Sequence, residues 1–262
     1  MKPKIIFFGS DQYASIVLKS LQKDKHFEII KVITNRKDLL KVKLIKPQPD
    51  VGVLASFGAI VPEKVLNFPK KGILNIHPSL LPRYRGASPV QAAILNGDQQ
   101  TGVTIIKLDE KVDHGPIVSQ FTEEIRPNDT AEFLYQRLFT QGTEVLKTIL
   151  PAYLEGRIEP KPQNHRFATY TKKLARENGK INWRKPGSYN ERFIRAMSLW
   201  PGAWTLLSPP AGGFGGQAKR LKILKAHLKN KKLVLDTVQL EGKKPVTWKQ
   251  FQEGYPETKI IK

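Results

Sequence analysis

The stretch Lys4-Ile-Ile-Phe-Phe-Gly9 decides the fold of the N-terminal half of the chain. It is a continuous apolar run that ends in glycine, which is typical of a strand buried on both faces in a parallel sheet. Residues Tyr13–Leu21 follow with apolar side chains at helical spacing. Together the two segments predict a strand followed by an amphipathic helix.

The same alternation of strands and helices continues to about residue 155. Further strands are predicted at Phe27–Thr34, Asp50–Phe57, Lys71–His77, Thr101–Leu108 and Ile117–Ile125. Helices are predicted at Pro62–Leu66, Val90–Asn96 and Thr130–Glu155. This order predicts an α/β domain with an open, mainly parallel sheet, in which ligands bind beyond the C-terminal ends of the strands.

The pattern changes after residue 155. The segment Gly156–Gln163 is rich in Gly, Pro and charge, which is typical of a linker. Short strands are predicted beyond it at Trp204–Leu207, Arg220–Ala226, Lys232–Gln239 and Pro245–Trp248, and a helix only near Tyr189–Met197. These elements predict a small β-barrel. The Gly-rich stretch Pro209–Gln217 is predicted to be a mobile loop, because no strand–turn–helix pattern surrounds it.

Charge separates the same two halves. Lys and Arg exceed Asp and Glu by 21 over the 262 residues. Residues 1–160 carry 22 basic and 17 acidic residues, whereas residues 161–262 carry 22 and 6, together with all four Trp. A basic module with its own aromatic residues favours a polyanionic partner such as nucleic acid. The alternative is a basic surface that only improves solubility.

Composition excludes several classes of protein. The chain has no Cys, so disulfides, thiolate metal sites and a Cys nucleophile are excluded. The five His are scattered, and no metal site is expected. The apolar run Ile5–Phe8 is too short for a secretory signal, and no run approaches the ~18 residues that a membrane span requires. We therefore expect a soluble cytoplasmic protein.

Two short segments carry residues suited to chemistry. Asn75 and His77 lie at the end of a predicted strand, where alternation places both side chains on one face. An Asn amide can stabilise an oxyanion, and a His can move a proton near neutral pH. Asp113 lies in a turn before Gly115 and could pair with His77. The alternatives are a capping Asn, a structural His and an ordinary Asx turn.

The residues around these positions carry a family resemblance. The run Asn75-Ile-His-Pro-Ser-Leu-Leu-Pro-Arg-Tyr-Arg-Gly-Ala-Ser-Pro89 resembles the signature of formyltransferases that use 10-formyltetrahydrofolate, and Asp109…Val-Asp113-His-Gly-Pro116 resembles their second signature. Downstream, Ala168-Thr-Tyr-Thr-Lys-Lys-Leu174 and Arg195-Ala-Met-Ser-Leu-Trp-Pro-Gly-Ala-Trp204 are similar to the methionyl-tRNA branch of that family. The resemblance covers nearly the whole chain.

The resemblance implies roles for individual residues. The catalytic residues would be Asn75, His77 and Asp113. The folate pocket would be lined by Phe57, Gly58, Ala59, Ile60, Ser79, Leu80, Leu81, Pro82, Val112, His114 and Gly115. The implied fold is a Rossmann-like catalytic domain at 1–155, a linker at 156–172 and a basic domain resembling an OB fold at 173–262.

The resemblance also implies the reaction. The chain would transfer a formyl group from 10-formyltetrahydrofolate, without a metal, to the methionine on initiator tRNA, and would act as a monomer. The basic residues expected to contact tRNA are Arg36, Lys37, Lys41, Lys43, Lys172, Lys173 and Arg176. Two alternatives remain open, namely a sugar N-formyltransferase with the same folate donor and an RNA-binding protein that has lost catalysis.

One segment departs from the family pattern. Family members have several dozen residues between the second and third strands, including a basic loop implicated in gripping the tRNA acceptor stem. Here only Asn35–Pro49 spans that interval. His114 and Asn182 also stand where Thr and Asp are common in the family. We therefore expect tRNA discrimination to differ, while the three catalytic positions are unchanged.

Overall fold

The computed structural model describes residues 2–39, 41–42, 45–208 and 218–261. The chain divides into two compact units. The first unit contains Met1–Val90, Gln99–Ile125 and Phe133–Lys172. The second contains Gln91–Asp98, Arg126–Glu132 and Lys173–Lys262. The catalytic-domain, linker and C-terminal-domain limits drawn from the sequence stay predictions.

A six-stranded sheet organises the first unit. The strands of this half of the chain are β1 (Lys4–Phe8), β2 (Glu28–Ile33), β3 (Val51–Ala55), β4 (Ile73–His77), β5 (Arg85–Gly86), β6 (Gln100–Lys107) and β7 (Ile117–Glu124). The order in the sheet is β2-β1-β3-β4-β6-β7. The pairs among β1 to β4 are parallel, whereas β6 is antiparallel to both β4 and β7.

The helices of this half are α1 (Gln12–Lys23), α2 (Arg36–Leu39), α3 (Glu63–Leu66), α4 (Pro89–Asn96) and α5 (Ala131–Leu154). The Ile and Phe residues of β1 are at most 1% exposed, as expected for a strand covered on both faces. The Asp11 carboxylate caps α1 by accepting hydrogen bonds from the backbone N–H groups of Tyr13 and Ala14, both at 2.9 Å. A cap of this kind contributes about 1 kcal/mol to helix stability.

The short segment Asn35–Pro49 contains one helical turn, α2, and no strand among its described residues. Leu39 and Val42 are buried in the hydrophobic cluster that contains Phe8. The apolar side chains of the segment therefore cover the sheet, while its described basic residues remain at or near the surface. Lys43, one of the predicted tRNA contacts, lies outside the described residues.

An antiparallel sheet organises the second unit. Its strands are β9 (Ala203–Leu207), β10 (Lys219–Lys229), β11 (Lys232–Leu240), β12 (Val246–Thr247) and β13 (Ile260–Ile261), in the order β12-β11-β10-β9-β13. Asn230 and Lys231 connect β10 to β11 with φ of 51° and 63°, the pair of positive values that a type I′ hairpin requires. The helix α6 covers Gly187–Ala196. The predicted loop Pro209–Gln217 lies outside the described residues.

A helix that the sequence did not predict follows β12. This helix, α7, covers Trp248–Gly254, although helical periodicity was expected only near residues 189–197. Thr247 caps it by accepting the backbone N–H of Gln250 at 3.2 Å. The rings of Trp248, Phe251 and Tyr255 stack in succession along it, with centroids 5.4 and 5.1 Å apart. The helix is too short for periodicity to reveal it, and its capping pair was the available signal.

Taken with the two sheets, the fold class expected from the sequence is confirmed. A Rossmann-like unit is followed by a smaller β-rich unit.

Candidate active site

Asn75 and His77 project from β4 toward the same carboxylate. Asn75 Nδ2 donates to Asp113 Oδ1 at 3.3 Å, and His77 Nδ1 lies 3.4 Å from that oxygen. Asn75 and His77 are 6% and 4% exposed, so both polar groups meet Asp113 largely out of water. The alternation of side chains along the strand correctly places the pair on one face.

The loop that carries Asp113 follows a different path from the one expected. Sequence analysis placed Asp113 beyond the C-terminal end of a strand in a mainly parallel sheet. Because β6 is antiparallel to β4, its last residue, Lys107, pairs with Leu74 near the start of β4. The loop 108–116 turns back from there and reaches the Asn75 and His77 side chains.

The Asp113 backbone is held in a left-handed conformation, with φ of 47°. Its second carboxylate oxygen, Oδ2, accepts the backbone N–H of Gly86 at 2.7 Å. The Asx turn of this loop is formed instead by Asp109, whose Oδ1 accepts the N–H of Lys111 at 3.0 Å. Both carboxylate oxygens of Asp113 are thus directed at specific donors, which the ordinary-turn alternative does not require.

The hydrogen bonds of His77 define where its protons lie. Nε2 lies 3.0 Å from the carbonyl oxygen of Tyr84. A carbonyl oxygen only accepts, so Nε2 carries a hydrogen. On the other side of the ring, lone pairs on Nδ1 and Asp113 Oδ1 would repel each other, so the contact is attractive when a proton lies between them. His77 and Asp113 can therefore hold a transferable proton beside the Asn75 amide.

Residues 163–171 also contribute to the site, and the sequence analysis missed this contribution. The strand β8 (Tyr170–Thr171) pairs in parallel with β5. Thr169 accepts the Tyr84 N–H through Oγ1 and the Arg85 N–H through its carbonyl oxygen, both at 2.8 Å. These bonds hold the loop whose Tyr84 carbonyl contacts His77. The run Ala168-Thr-Tyr-Thr was the available signal, but it served only as a family marker.

The predicted folate-pocket residues fall into two groups. Accessible apolar surface lies on Ile60 and Val112, which are 76% and 53% exposed, and Phe57 and Ala59 are half-buried against the core. The backbone at Gly58 is exposed. Leu80 and Pro82 are also half-buried, as is His114. These eight residues are accessible to a ligand, and their part in folate binding stays a prediction.

Three predicted pocket residues are instead buried. Ser79 is fully buried, and its Oγ donates to the carbonyl oxygen of Arg83 at 2.7 Å. Leu81 is 3% exposed, and its N–H donates to Thr104 Oγ1 at 3.0 Å. Gly115 packs so closely on the Lys107 carbonyl that a side chain would clash with it. We therefore correct the prediction for Ser79, Leu81 and Gly115, which support the loops rather than face a ligand.

His114 forms part of a polar edge beside Asp113. Its Nδ1 lies 2.6 Å from Asp109 Oδ2, and its ring stacks on that of His165 with centroids 4.0 Å apart and an angle of 6°. Desolvation, followed by the positive charges of His114 and Arg85, lowers the pKa of His165 below its ordinary value. A His165 that stays neutral stacks on His114 without charge repulsion.

The predicted tRNA contacts are surface residues. Those within the described residues are all exposed: Arg36, Lys37, Lys41, Lys172, Lys173 and Arg176. Their contact with tRNA stays a prediction. In the part of the chain that the structure describes, no group of three or more His, Asp or Glu side chains could hold a metal ion, and no helix has the length and apolar character needed to cross a bilayer.

Comparison with family models identifies the class of protein. The model described as Formyl transferase matches residues 40–150, and the model described as Formyl transferase, C-terminal domain matches residues 173–233. The two matches fall on the α/β half and the basic half of the chain. The fold and the site are therefore those of a two-domain formyl transferase.

Relatives with curated names define the family within that class. The methionyl-tRNA formyltransferase of Roseiflexus sp. strain RS-1 is 40% identical over 239 residues, which span 79% of this chain and 74% of the relative. That of Roseiflexus castenholzii is 34% identical over 311 residues, spanning 97% and 96%. The chain belongs to the methionyl-tRNA formyltransferase family.

Structural comparison gives the same fold, and alignment length bears on the short segment. The methionyl-tRNA formyltransferase from Clostridium thermocellum superposes with a TM-score of 0.70 at 23% identity, covering 91% of this chain and 98% of that one. The 311 aligned positions of the R. castenholzii relative exceed the 262 residues of this chain. The relative therefore has positions without a counterpart here, and Asn35–Pro49 is where the sequence analysis places such a shortening.

Proposed function

We propose that the protein transfers a formyl group from 10-formyltetrahydrofolate to the α-amine of methionine on initiator tRNA. The observation that carries this proposal is the convergence of Asn75 and His77 on Asp113 Oδ1, at 3.3 and 3.4 Å. The arrangement combines an amide donor, an imidazole and a carboxylate in a largely buried position. Acyl transfer to an amine requires an oxyanion donor and a group that moves a proton, and the three residues supply both.

The accessible apolar residues fit a flat, mostly apolar ring system such as that of a folate. Ile60 and Val112 expose apolar side chains on loops that flank the strand carrying Asn75 and His77. Ligand sites of this kind are lined by apolar groups with a few polar groups that fix orientation. When bound, the folate donor supplies the formyl carbon as an electrophile.

Each of the three residues has a separate task in the transfer. Asn75 uses one N–H on Asp113 and directs the other at the formyl oxygen, where negative charge develops. Asp113 takes the proton of the attacking amine, directly or through a water, as the amine nitrogen forms its bond to the formyl carbon. The bond from that carbon to the folate nitrogen breaks, and the folate nitrogen keeps the electron pair and receives a proton from Asp113 and His77.

The basic half of the chain supplies a surface for the tRNA. Residues 161–262 carry 22 basic and 6 acidic residues. In the second unit, the Arg220 guanidinium lies 4.2 Å above the Trp204 ring, so cationic and aromatic groups stand together at the sheet. Such a surface attracts phosphates by releasing their counterions.

The test is formylation of charged initiator tRNA with labelled 10-formyltetrahydrofolate, using the full-length protein. We expect labelled formyl-methionyl-tRNA, a thermal shift with folate and a gel shift with tRNA. A folate response without tRNA binding would indicate a sugar amine as the acceptor. A tRNA response without folate binding or formylation would indicate a binding protein, and either result would refute the proposal.

A further inference from the structure

Gln163 contacts the loop of Asp113, although it lies 50 residues further along the chain. Gln163 is 5% exposed. Its Nε2 donates to the carbonyl oxygens of Asp113 at 2.9 Å and of Gly115 at 2.7 Å. A side-chain amide nitrogen has two hydrogens, so both are engaged by this one turn. The turn is thereby gripped on both sides of His114.

Arg85 fixes the orientation of that amide. Its Nε and Nη2 donate to Gln163 Oε1 at 3.2 and 2.6 Å. A guanidinium group only donates, so the amide oxygen must face Arg85 and the amide nitrogen must face the turn. Arg85 is 1% exposed, and its further bonds go to His165 Nδ1 at 2.8 Å and Tyr170 Oη at 3.3 Å. The pair is thus packed in place rather than free to rotate.

The turn needs such support because of its backbone. Asp113 has φ of 47°, a left-handed conformation that residues other than glycine rarely adopt. Without the bonds from Gln163 to Asp113 and Gly115, the turn would be able to relax. The carboxylate would then leave its position against Asn75, His77 and the Gly86 N–H.

We propose that Gln163 is the positioning residue of the reaction, acting through the carbonyl oxygens of Asp113 and Gly115 to hold the Asp113 carboxylate against Asn75 and His77. This inference rests on the proposed function, since it assumes that Asp113 moves the proton. Gln163 itself touches neither substrate. A displacement of about 1 Å in a reacting group can lower a rate by about 100-fold, so the effect on turnover is large.

The decisive variant is Gln163→Glu. It keeps the size of the side chain and an acceptor for Arg85, but the carboxylate cannot donate to the two carbonyl oxygens. Gln163→Met removes the donors without adding charge. The matched control is Gln48→Met, because Gln48 Nε2 also donates to a backbone carbonyl, that of Phe68 at 2.7 Å, and Gln48 belongs to no part of the proposed site.

We expect kcat for formylation to fall about 10- to 100-fold in both Gln163 variants, with KM for the folate donor within about twofold of wild type. Gln48→Met keeps wild-type kcat. In an Asp113→Asn background, Gln163→Glu lowers the remaining rate by less than about twofold, because the two residues act as one unit. Wild-type kcat in both folded Gln163 variants, or a full additional decrease in the Asp113→Asn background, would overturn the inference.

A second readout does not depend on activity. The Gly86 N–H donates to Asp113 Oδ2, so its hydrogen exchange reports whether the carboxylate is in place. We expect faster exchange at Gly86 in Gln163→Glu and unchanged exchange in Gln48→Met. Unchanged Gly86 protection in Gln163→Glu refutes positioning by Gln163. A wild-type protein that binds folate but formylates no tRNA refutes the proposed function instead.

Discussion

Replacing Asn75 with Ala tests whether its amide acts in the reaction or only in the fold. The side chain is 6% exposed and donates to Asp113 Oδ1 at 3.3 Å. The substitution removes that bond and leaves His77 and the Gly86 N–H on the carboxylate. Asp113 therefore keeps both of these partners, and the main change is the absence of the donor for the formyl oxygen.

The expected magnitudes separate the two roles. Removal of one oxyanion donor lowers kcat by about 10²- to 10³-fold, which corresponds to about 2.7–4 kcal/mol in the transition state. The free energy of unfolding falls by only about 1–3 kcal/mol, the usual cost of removing one partner of a buried hydrogen bond. Affinity for tRNA stays near the wild-type value, because Asn75 lies in the first unit and away from the basic half of the sequence.

The assay is single-turnover formylation at saturating folate, with thermal unfolding measured in parallel. The control is Asn190→Ala, since Asn190 is 2% exposed and its Nδ2 donates to the carbonyl oxygens of Asn182 and Lys185. It removes a buried amide of the same kind and should cost stability without a comparable decrease in rate. If Asn75→Ala and Asn190→Ala lower the rate equally, Asn75 is a structural residue and the oxyanion assignment is wrong.

Three further predictions concern the remaining site residues and the tRNA. His77→Ala and Asp113→Ala each lower kcat at least as much as Asn75→Ala, and the double variant adds little because the groups act as a unit; near-wild-type turnover in Asp113→Ala contradicts its role. Neutralising Lys172 and Lys173 flattens the log–log dependence of tRNA affinity on salt by nearly one unit for each phosphate that the protein no longer neutralises, whereas a salt-independent affinity means the basic half only improves solubility. Because Asn35–Pro49 is too short to insert deeply beside the acceptor stem, we expect weaker discrimination against a tRNA with a closed first pair, by ~1–3 kcal/mol for each base that the segment fails to reach; comparison of kcat/KM on the two tRNAs measures it, and a preference in the thousands assigns the reading to another element.

The elements that the sequence predicts well are those with strong local patterns. The apolar run of β1 and the helical spacing of α1 each identify one element without help from the rest of the chain. The placement of Asn75 and His77 on one face follows from the period of a strand alone. These features depend on neighbouring residues, so they can be read from a single segment.

The features that the sequence did not predict depend on residues far apart in the chain. Nothing local to β6 states that it runs antiparallel to β4, and this direction decides how the Asp113 loop reaches the site. Gln163 and Asp113 are 50 residues apart, and the Gln163 segment has the Gly, Pro and charge content of a linker. The burial of Ser79 also follows from Thr104, which a motif comparison does not contain.

The pairing of β5 with β8 has a consequence for insertions and tethers. A residue added between Gln163 and Thr171 would shift the register of that ladder and pull the Tyr84 carbonyl from His77. Gly156, in contrast, has φ of 77° and open space where a side chain would begin. Between these points the chain can lengthen at one end and not at the other. A reporter peptide or a longer spacer therefore belongs next to Gly156, and the stretch after Gln163 keeps a fixed length.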